Sequence, residues 1–268
     1  MTINPLLATA PAGRHICQIH RDPQKLAYSV GDFVTAGLKR GERVILVAEP
    51  DHTSLVFQYM TWNDWNPDVF QSSGQLTVLD AQATLDQFMR DGSPDWNSFR
   101  LTIGGVLTQR SSSQFSGVRV YGEMVNILWK RGESSAAIEV ESFWNRLAAE
   151  HRFSLFCCYT FDSLDKASYA GPLHELGRTH SDLVQTPDDQ RLQAAVDAAS
   201  REILGTTLSM TLSLSGREEV EGEHRLPPGH AACSGCAGTC PTCSRGFWTA
   251  RATTTRWGCQ RPDEGCCL

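Results

Sequence analysis

Five short apolar runs punctuate the first part of the chain: "HICQIH" (15–20), "RVILVAE" (43–49), "LTVLDA" (76–81), "GVRVYGEM" (117–124) and "FSLFCCYTF" (153–161). Each has the length and the β-branched or aromatic content of a strand. The near-continuous apolar character of "VILVA" and "FSLFCCY" predicts burial on both faces. Between the runs the period changes to that of a helix. Leu26, Val30, Phe33, Val34 and Leu38 share one helical face, as do Leu85, Phe88 and Met89, and then Ile138, Phe143, Leu147 and Ala148. Asp22 before Pro23 marks a helix start, and Gly37 with Gly41 marks the turn into "ERVILV". Strands alternating with helices are joined by right-handed crossovers. The expected fold class is therefore α/β, with three layers and a mostly parallel sheet covered on both faces.

Beyond this body the pattern weakens. Residues 166–187 are polar and read as a linker. A helix is expected over 188–204, "DDQRLQAAVDAASREIL", with acidic residues at its start and Leu192, Ala195, Val196, Ala199 and Ile203 on one face. The stretch to residue 229 alternates briefly before breaking into charge and proline. Residues 230–268 then carry seven of the ten cysteines and contain no Val, Ile or Met, too little apolar surface to offset the ordering of the chain.

That tail admits two readings. The two Cys-x-x-Cys pairs of "CSGCAGTCPTC" (233–243) could supply four thiolates to zinc, although the pairs are set unusually close. Alternatively the reading frame is shifted. Cysteine and tryptophan codons begin TG and phenylalanine codons TT. In the frame that starts one base earlier they become codons for Leu, Met, Val, Ile or Phe. Cys233, Cys236, Cys240, Cys243, Phe247 and Trp248 then take the spacing of an apolar helical face.

Composition narrows the function. A formal net charge of −6 over 268 residues offers no basic stripe for a phosphate backbone, so nucleic acid is not an expected partner. No apolar run approaches membrane-spanning length, and the first residues lack the pattern of a signal peptide, so the expected location is cytoplasmic, away from any membrane. In that compartment ten cysteines do not imply a disulfide framework. No Gly-x-Ser-x-Gly elbow or zinc-hydrolase helix motif is present. Glu139 and Glu141, two apart, point different ways on a helix and cannot act as an acid–base pair. The chain is not expected to be an enzyme, and no cofactor or metal is predicted.

The ordered set "HICQIHRD", "FVTAGLKRGERVILVAEP", "GVRVYGEMVNILW", "ESFWNRL" and "FSLFCCYTFD" resembles the MEDS domain, a sensory module named for methanogens, methylotrophs and a dichloromethane-responsive regulator. The resemblance spans residues 12–165. It implies a RecA-like fold and cytoplasmic signal transduction, with a small organic molecule, a hydrocarbon derivative, as ligand and a signalling partner or separate output domain as receiver. The other readings are a protein-interaction module without a small ligand, and a zinc or redox protein that uses the C-terminal cysteines. In RecA-like ATPases a glycine-rich loop and its lysine grip the phosphates. Here "VILVAEP" leads into "DHTSL", with neither, so the phosphate loop is expected to be non-functional.

Ligands of open parallel sheets sit beyond the carboxyl ends of the strands. Those ends present His20 and Arg21, Glu49, Asp80, Glu123, and Tyr159 with Asp162; Tyr121 and Glu123 belong to the "YGEM" turn. Burial of Glu123, or pairing with His20 or Arg21, is expected, with an ordinary helix-start carboxylate as the structural alternative. His15 and Cys17 alternate on one face of the first strand, and Cys157 and Tyr159 on one face of the last. The resemblance implies ligand or metal contact at these positions. A satisfied core histidine and small apolar cysteines are the alternative, and for Cys158 the apolar role is the expected one. The candidate ligand-binding residues are thus His15, Cys17, His20, Glu49, Tyr121, Glu123, Cys157 and Tyr159. Trp129 and Trp144 are expected in the core or a pocket wall.

Overall fold

A computed structural model describes residues 4–108, 114–160 and 178–184, together with Ala194, Ala198 and Arg201. A short α1 (Pro5–Thr9) is followed by β1 (His15–His20), α2 (Pro23–Lys39), β2 (Arg43–Ala48) and α3 (Pro50–Trp62). Next come α4 (Pro67–Ser72), β3 (Leu76–Asp80) and α5 (Ala81–Asp86), then a two-residue ribbon of β4 (Met89–Arg90) and β5 (Ser93–Pro94), and α6 (Trp96–Leu107). The order closes with β6 (Val118–Gly122), α7 (Met124–Lys130), α8 (Ser134–Glu150), β7 (Ser154–Thr160) and β8 (Asp182–Val184).

Six strands form one sheet in the order β3-β2-β6-β7-β1-β8, and every neighbouring pair is parallel. This is the three-layer α/β arrangement that the strand–helix alternation predicts. The strands sort their side chains by the two-residue period. Cys17, Ile19, Ile45, Val47, Val120, Leu155 and Cys157 pack beneath α5, α6, α7 and α8. Ile16, Val44, Leu46, Tyr121, Phe156 and Cys158 pack beneath α1, α2 and α3 on the opposite face. Consecutive residues Cys157 and Cys158 thus belong to different cores.

Several local features explain why the elements stop and start where they do. The carboxylate of Asp22 accepts a hydrogen bond from the amide of Gln24, and Pro23 occupies the first position of α2, as the sequence suggests. Gly41 has φ +73° in the turn after α2. Gly37 has another role than the turn expected of it: it lies inside α2, where a Cβ would come within 2.8 Å of Arg119 Cδ. The close approach matters because the buried Arg119 guanidinium donates to the carbonyls of Leu7, Ala8, Thr9 and Phe33 and pairs with Glu42.

The structure also departs from the pattern in places. Phe88 and Met89 fall beyond α5, and Met89 lies in the β ribbon rather than on a helical face. Helices α3 and α4 lie between β2 and β3, where the sequence pattern picked out no helical face; α3 buries only Val56 and Met60, so its apolar signal is faint. The short β8 lies inside the stretch that reads as linker, and pairs in parallel with β1 through Ile16, Cys17 and Gln18. Of the helix expected over 188–204, Ala194, Ala198 and Arg201 are described. They are helical and exposed, the complement of the apolar positions. The remaining linker residues and the cysteine-rich tail lie outside the described residues.

Candidate functional site

The carboxyl ends of β2 and β6 carry a closely bonded carboxylate. Glu123 follows β6 at the N-cap of α7, but its side chain does not cap that helix. It turns across to β2 instead, where Oε2 accepts the backbone amide of Glu49 at 2.7 Å. Oε1 accepts from Tyr121 Oη at 2.8 Å and pairs with His52 Nδ1 at 2.6 Å. The side chain of Glu123 is completely buried. A backbone amide at the head of α3, suited to an anion, is therefore already taken by a carboxylate of the chain itself.

Around this carboxylate the electrostatics are ordered. The hydrogen bond that His52 donates to Glu123 raises its pKa against the opposing effect of burial, and so favours the imidazolium. Burial, with Cys158 and Glu123 alongside, pushes Tyr121 well up, and Tyr121 Oη lies 3.0 Å from Cys158 Sγ. Burial, with Glu123 nearby, pushes the Cys158 thiol up as well. Lys130 Nζ pairs with Glu49 at 3.2 Å at the outer edge. Over the group runs a narrow crevice, walled by Leu26, Ala27, Val30 and Val56 and floored by Tyr121, Glu123 and His52. It is too tight to hold a water molecule. His20 stands near this edge, held neutral by burial and by His52 and Lys130, with its pKa lowered to about 4.

A second polar group is buried under the other face. Glu141, on the inner side of α8, pairs through Oε2 with His15 Nε2 at 3.2 Å and through Oε1 with His180 Nε2 at 3.1 Å. Tyr159 Oη donates to Oε1 at 2.5 Å. Cys157 Sγ lies 3.4 Å from His15 Nε2 and 3.6 Å from Glu141 Oε2. The rings of His15 and His180 are 4.2 Å apart. Burial acts to raise the Glu141 pKa, but His180 and His15 beside it outweigh burial and hold the carboxyl low. Burial, then His180, lowers His15, while burial and Glu141 push the Cys157 thiol well up.

Both groups carry donor atoms suited to a metal ion. His15, Glu141, Cys157 and His180 bring such atoms within 4.8 Å of one another, as do Glu49, His52 and Glu123. The second of these sets already has cationic company in Lys130.

The candidate residues from the sequence divide between the two groups. Tyr121, Glu123 and Glu49 meet at the carboxyl edge, with His20 nearby. His15, Cys157 and Tyr159 meet under α8 because β1 and β7 are paired neighbours, and Cys17 lies opposite Cys157 in their register. Glu123 pairs with His52, not with His20 or Arg21. Trp144 is buried in the core, and Trp129 packs edge-on against Tyr159. The sequence pattern did not bring out His52, Glu141 or His180. A signal existed for one of them: Glu141 falls in helical register with Ala137 and Trp144, a charge on an otherwise apolar face.

The strand order, the two-sided core and the carboxylate lodged at the edge of the sheet define an α/β domain in which the amide at the head of α3 is engaged by the chain's own Glu123. The family model described as "MEthanogen/methylotroph, DcmR Sensory domain" matches residues 14–181, and the chain belongs to this MEDS family. Among solved structures, the flagellar accessory protein FlaH from Methanocaldococcus jannaschii is similar at a TM-score of 0.42 and 14% identity, with 68% of this chain and 76% of that one covered. None of the curated proteins compared matches the chain. No helix among the described residues is long and apolar enough to cross a membrane.

Proposed function

We propose that this sensory domain binds a small organic molecule, of the size of a simple hydrocarbon derivative, in the crevice between α2 and α3 above Glu123. The observation that carries the reading is the crevice itself: apolar walls from Leu26, Ala27, Val30 and Val56 over a floor with a hydroxyl, a carboxylate and an imidazole. As it stands the crevice has no room for a water molecule, so the reading calls for a compound of only a few heavy atoms, admitted when α2 and α3 part.

Binding requires α3 to move against α2, because the crevice has no room for a water molecule. A ligand that holds those helices apart shifts the population toward the open arrangement. His52, on α3, and Glu123, after β6, would report the movement through their shared bond, and the residues after β8 would carry it to an output domain or signalling partner. No nucleotide chemistry is part of this reading, since the amide of Glu49 is occupied internally.

Isothermal titration calorimetry and thermal shift with small alcohols, halomethanes and methylamines test it. The expected result is a saturable response to at least one class, abolished by Ala27→Leu, which fills the crevice, and weakened about tenfold by Glu123→Gln. A flat response across the whole panel from folded protein counts against ligand binding at this crevice.

A further inference from the structure

We propose that His15, Cys157, Glu141 and His180 form a buried binding site for a divalent transition metal of the zinc class. Three of the donor atoms make a triangle with sides of 3.2 Å (His15 Nε2 to Glu141 Oε2), 3.4 Å (His15 Nε2 to Cys157 Sγ) and 3.6 Å (Cys157 Sγ to Glu141 Oε2). A tetrahedral ion with metal–nitrogen bonds of about 2.0 Å and metal–sulfur bonds of about 2.3 Å separates its ligands by roughly 3.3–3.7 Å. The triangle is therefore already close to one face of a zinc coordination tetrahedron. His180 Nε2, on the other side of the carboxylate, supplies the fourth corner, with all four donors inside 4.8 Å.

The surrounding hydrogen bonds orient the first ligand. Asn145 Nδ2 donates to the carbonyl of Thr179 at 2.8 Å, which turns its Oδ1 toward His15. That oxygen, 2.8 Å from His15 Nδ1, can only accept, so the ring carries its proton on Nδ1 and presents the lone pair of Nε2 to Cys157 and Glu141. Two acceptors, His15 Nε2 and Glu141 Oε2, then face each other at 3.2 Å. Something positive belongs between them. A metal ion held by both, and by Cys157 beside them, meets that need. With Cys157 as thiolate, a divalent ion and the two anionic ligands sum to zero charge, which suits a core from which water is excluded. Loading releases the Cys157 proton to solvent.

The four ligands come from different parts of the fold. His15 lies on β1, Cys157 on β7 and Glu141 on α8, while His180 precedes β8, at the exit from the described domain. The ion therefore staples the outgoing segment to the sheet, and metal occupancy controls how firmly that segment docks. This inference is independent of ligand binding in the crevice, which lies on the opposite face.

The test uses the full chain with its seven cysteines after residue 230 replaced by serine, so that tail thiols do not contribute. After incubation with zinc and exhaustive dialysis, a single ion per chain is expected. Cobalt(II) in its place should give a sulfur-to-metal charge-transfer band that Cys157→Ser removes. Zinc affinity should fall about tenfold or more in His180→Gln, and about ten- to hundredfold in Asn145→Ala, whose side chain touches no metal and acts through His15 and through the Thr179 carbonyl beside His180. Hydrogen exchange across residues 178–184 should slow when zinc is bound. Zinc content equal in the serine-tail chain and its Cys157→Ser derivative, or absent from both while circular dichroism shows the native fold, overturns the site. Unchanged affinity in Asn145→Ala overturns the assigned orientation of His15.

Discussion

At the scale of single residues, two histidines near the carboxyl edge are set to titrate in opposite directions. His20 has its pKa lowered to about 4 by burial, His52 and Lys130, with Asp22 acting the other way. An unfolded chain takes up that proton near pH 6.5, so the unfolded state binds more protons between those values and stability falls as pH drops through the window. The full effect is about 3 kcal/mol for a shift of that size. His52 has its pKa raised by its bond to Glu123, with Lys130 opposing and Glu49 assisting. Its contribution is complete below the unfolded value and is lost as pH rises through the folded one. Together they place the maximum of this part of the stability curve near pH 6.5. Urea unfolding from pH 4 to 9 should show both limbs, with His20→Gln flattening the acid side and His52→Gln the alkaline side. A His20→Gln protein that loses stability on acidification as steeply as its parent contradicts the assignment.

At the scale of elements, α1 shows how a short helix is kept. Five residues cannot hold a helix in water by themselves. The guanidinium of Arg119 gathers the carbonyls of Leu7, Ala8 and Thr9 at the end where the helix dipole is negative, and its Glu42 partner balances the charge. Arg119→Met should cost about 3 kcal/mol or more in chemical denaturation, because it leaves Glu42 and several carbonyls without their buried donor. A loss below about 1 kcal/mol would show that α1 is held by packing alone. Arg119 itself is hard to foresee, since a charged residue in "GVRVYGEM" breaks the apolar pattern without announcing its partners. The strands were legible because a parallel sheet buried on both faces demands continuous apolar runs. Helix α2 was legible because it combines an apolar face with Asp22 and Pro23 at its start. Helix α3, with two buried side chains, left almost no periodic trace, and β8 is too short to show one. The site followed the same rule. His15, Cys157 and Tyr159 were readable from alternation on two strands, whereas His180 comes from a stretch without a period and becomes a neighbour only through the fold.

At the scale of the whole molecule, the sheet is ordered from its middle outward. Strands β2, β6, β7 and β1 each pair on both sides, while β3 and β8 are the edges among the described residues. The β8 edge is the weaker, at three residues, and a few bonds around Ser181 fix it. The amide of His15 donates to Ser181 Oγ at 2.8 Å, the Ser181 amide donates to the carbonyl of His15 at 2.8 Å, and Arg14 pairs with Asp182 at 3.5 Å. Such an edge opens at a lower free energy than the global unfolding of the sheet. It is also the last described strand in chain order, so a signal passed on to the residues that follow goes through this edge. Native-state hydrogen exchange should therefore rank β8 amides as fast and those of β6 and β7 as slow. Ser181→Ala should speed exchange across 182–184 while leaving β2 and β6 unchanged, because it removes the side-chain bond from His15 without disturbing either core. Exchange in β8 as slow as in β6, and insensitive to that substitution, would mean that the edge unfolds only with the whole sheet and has no independent motion with which to transmit anything.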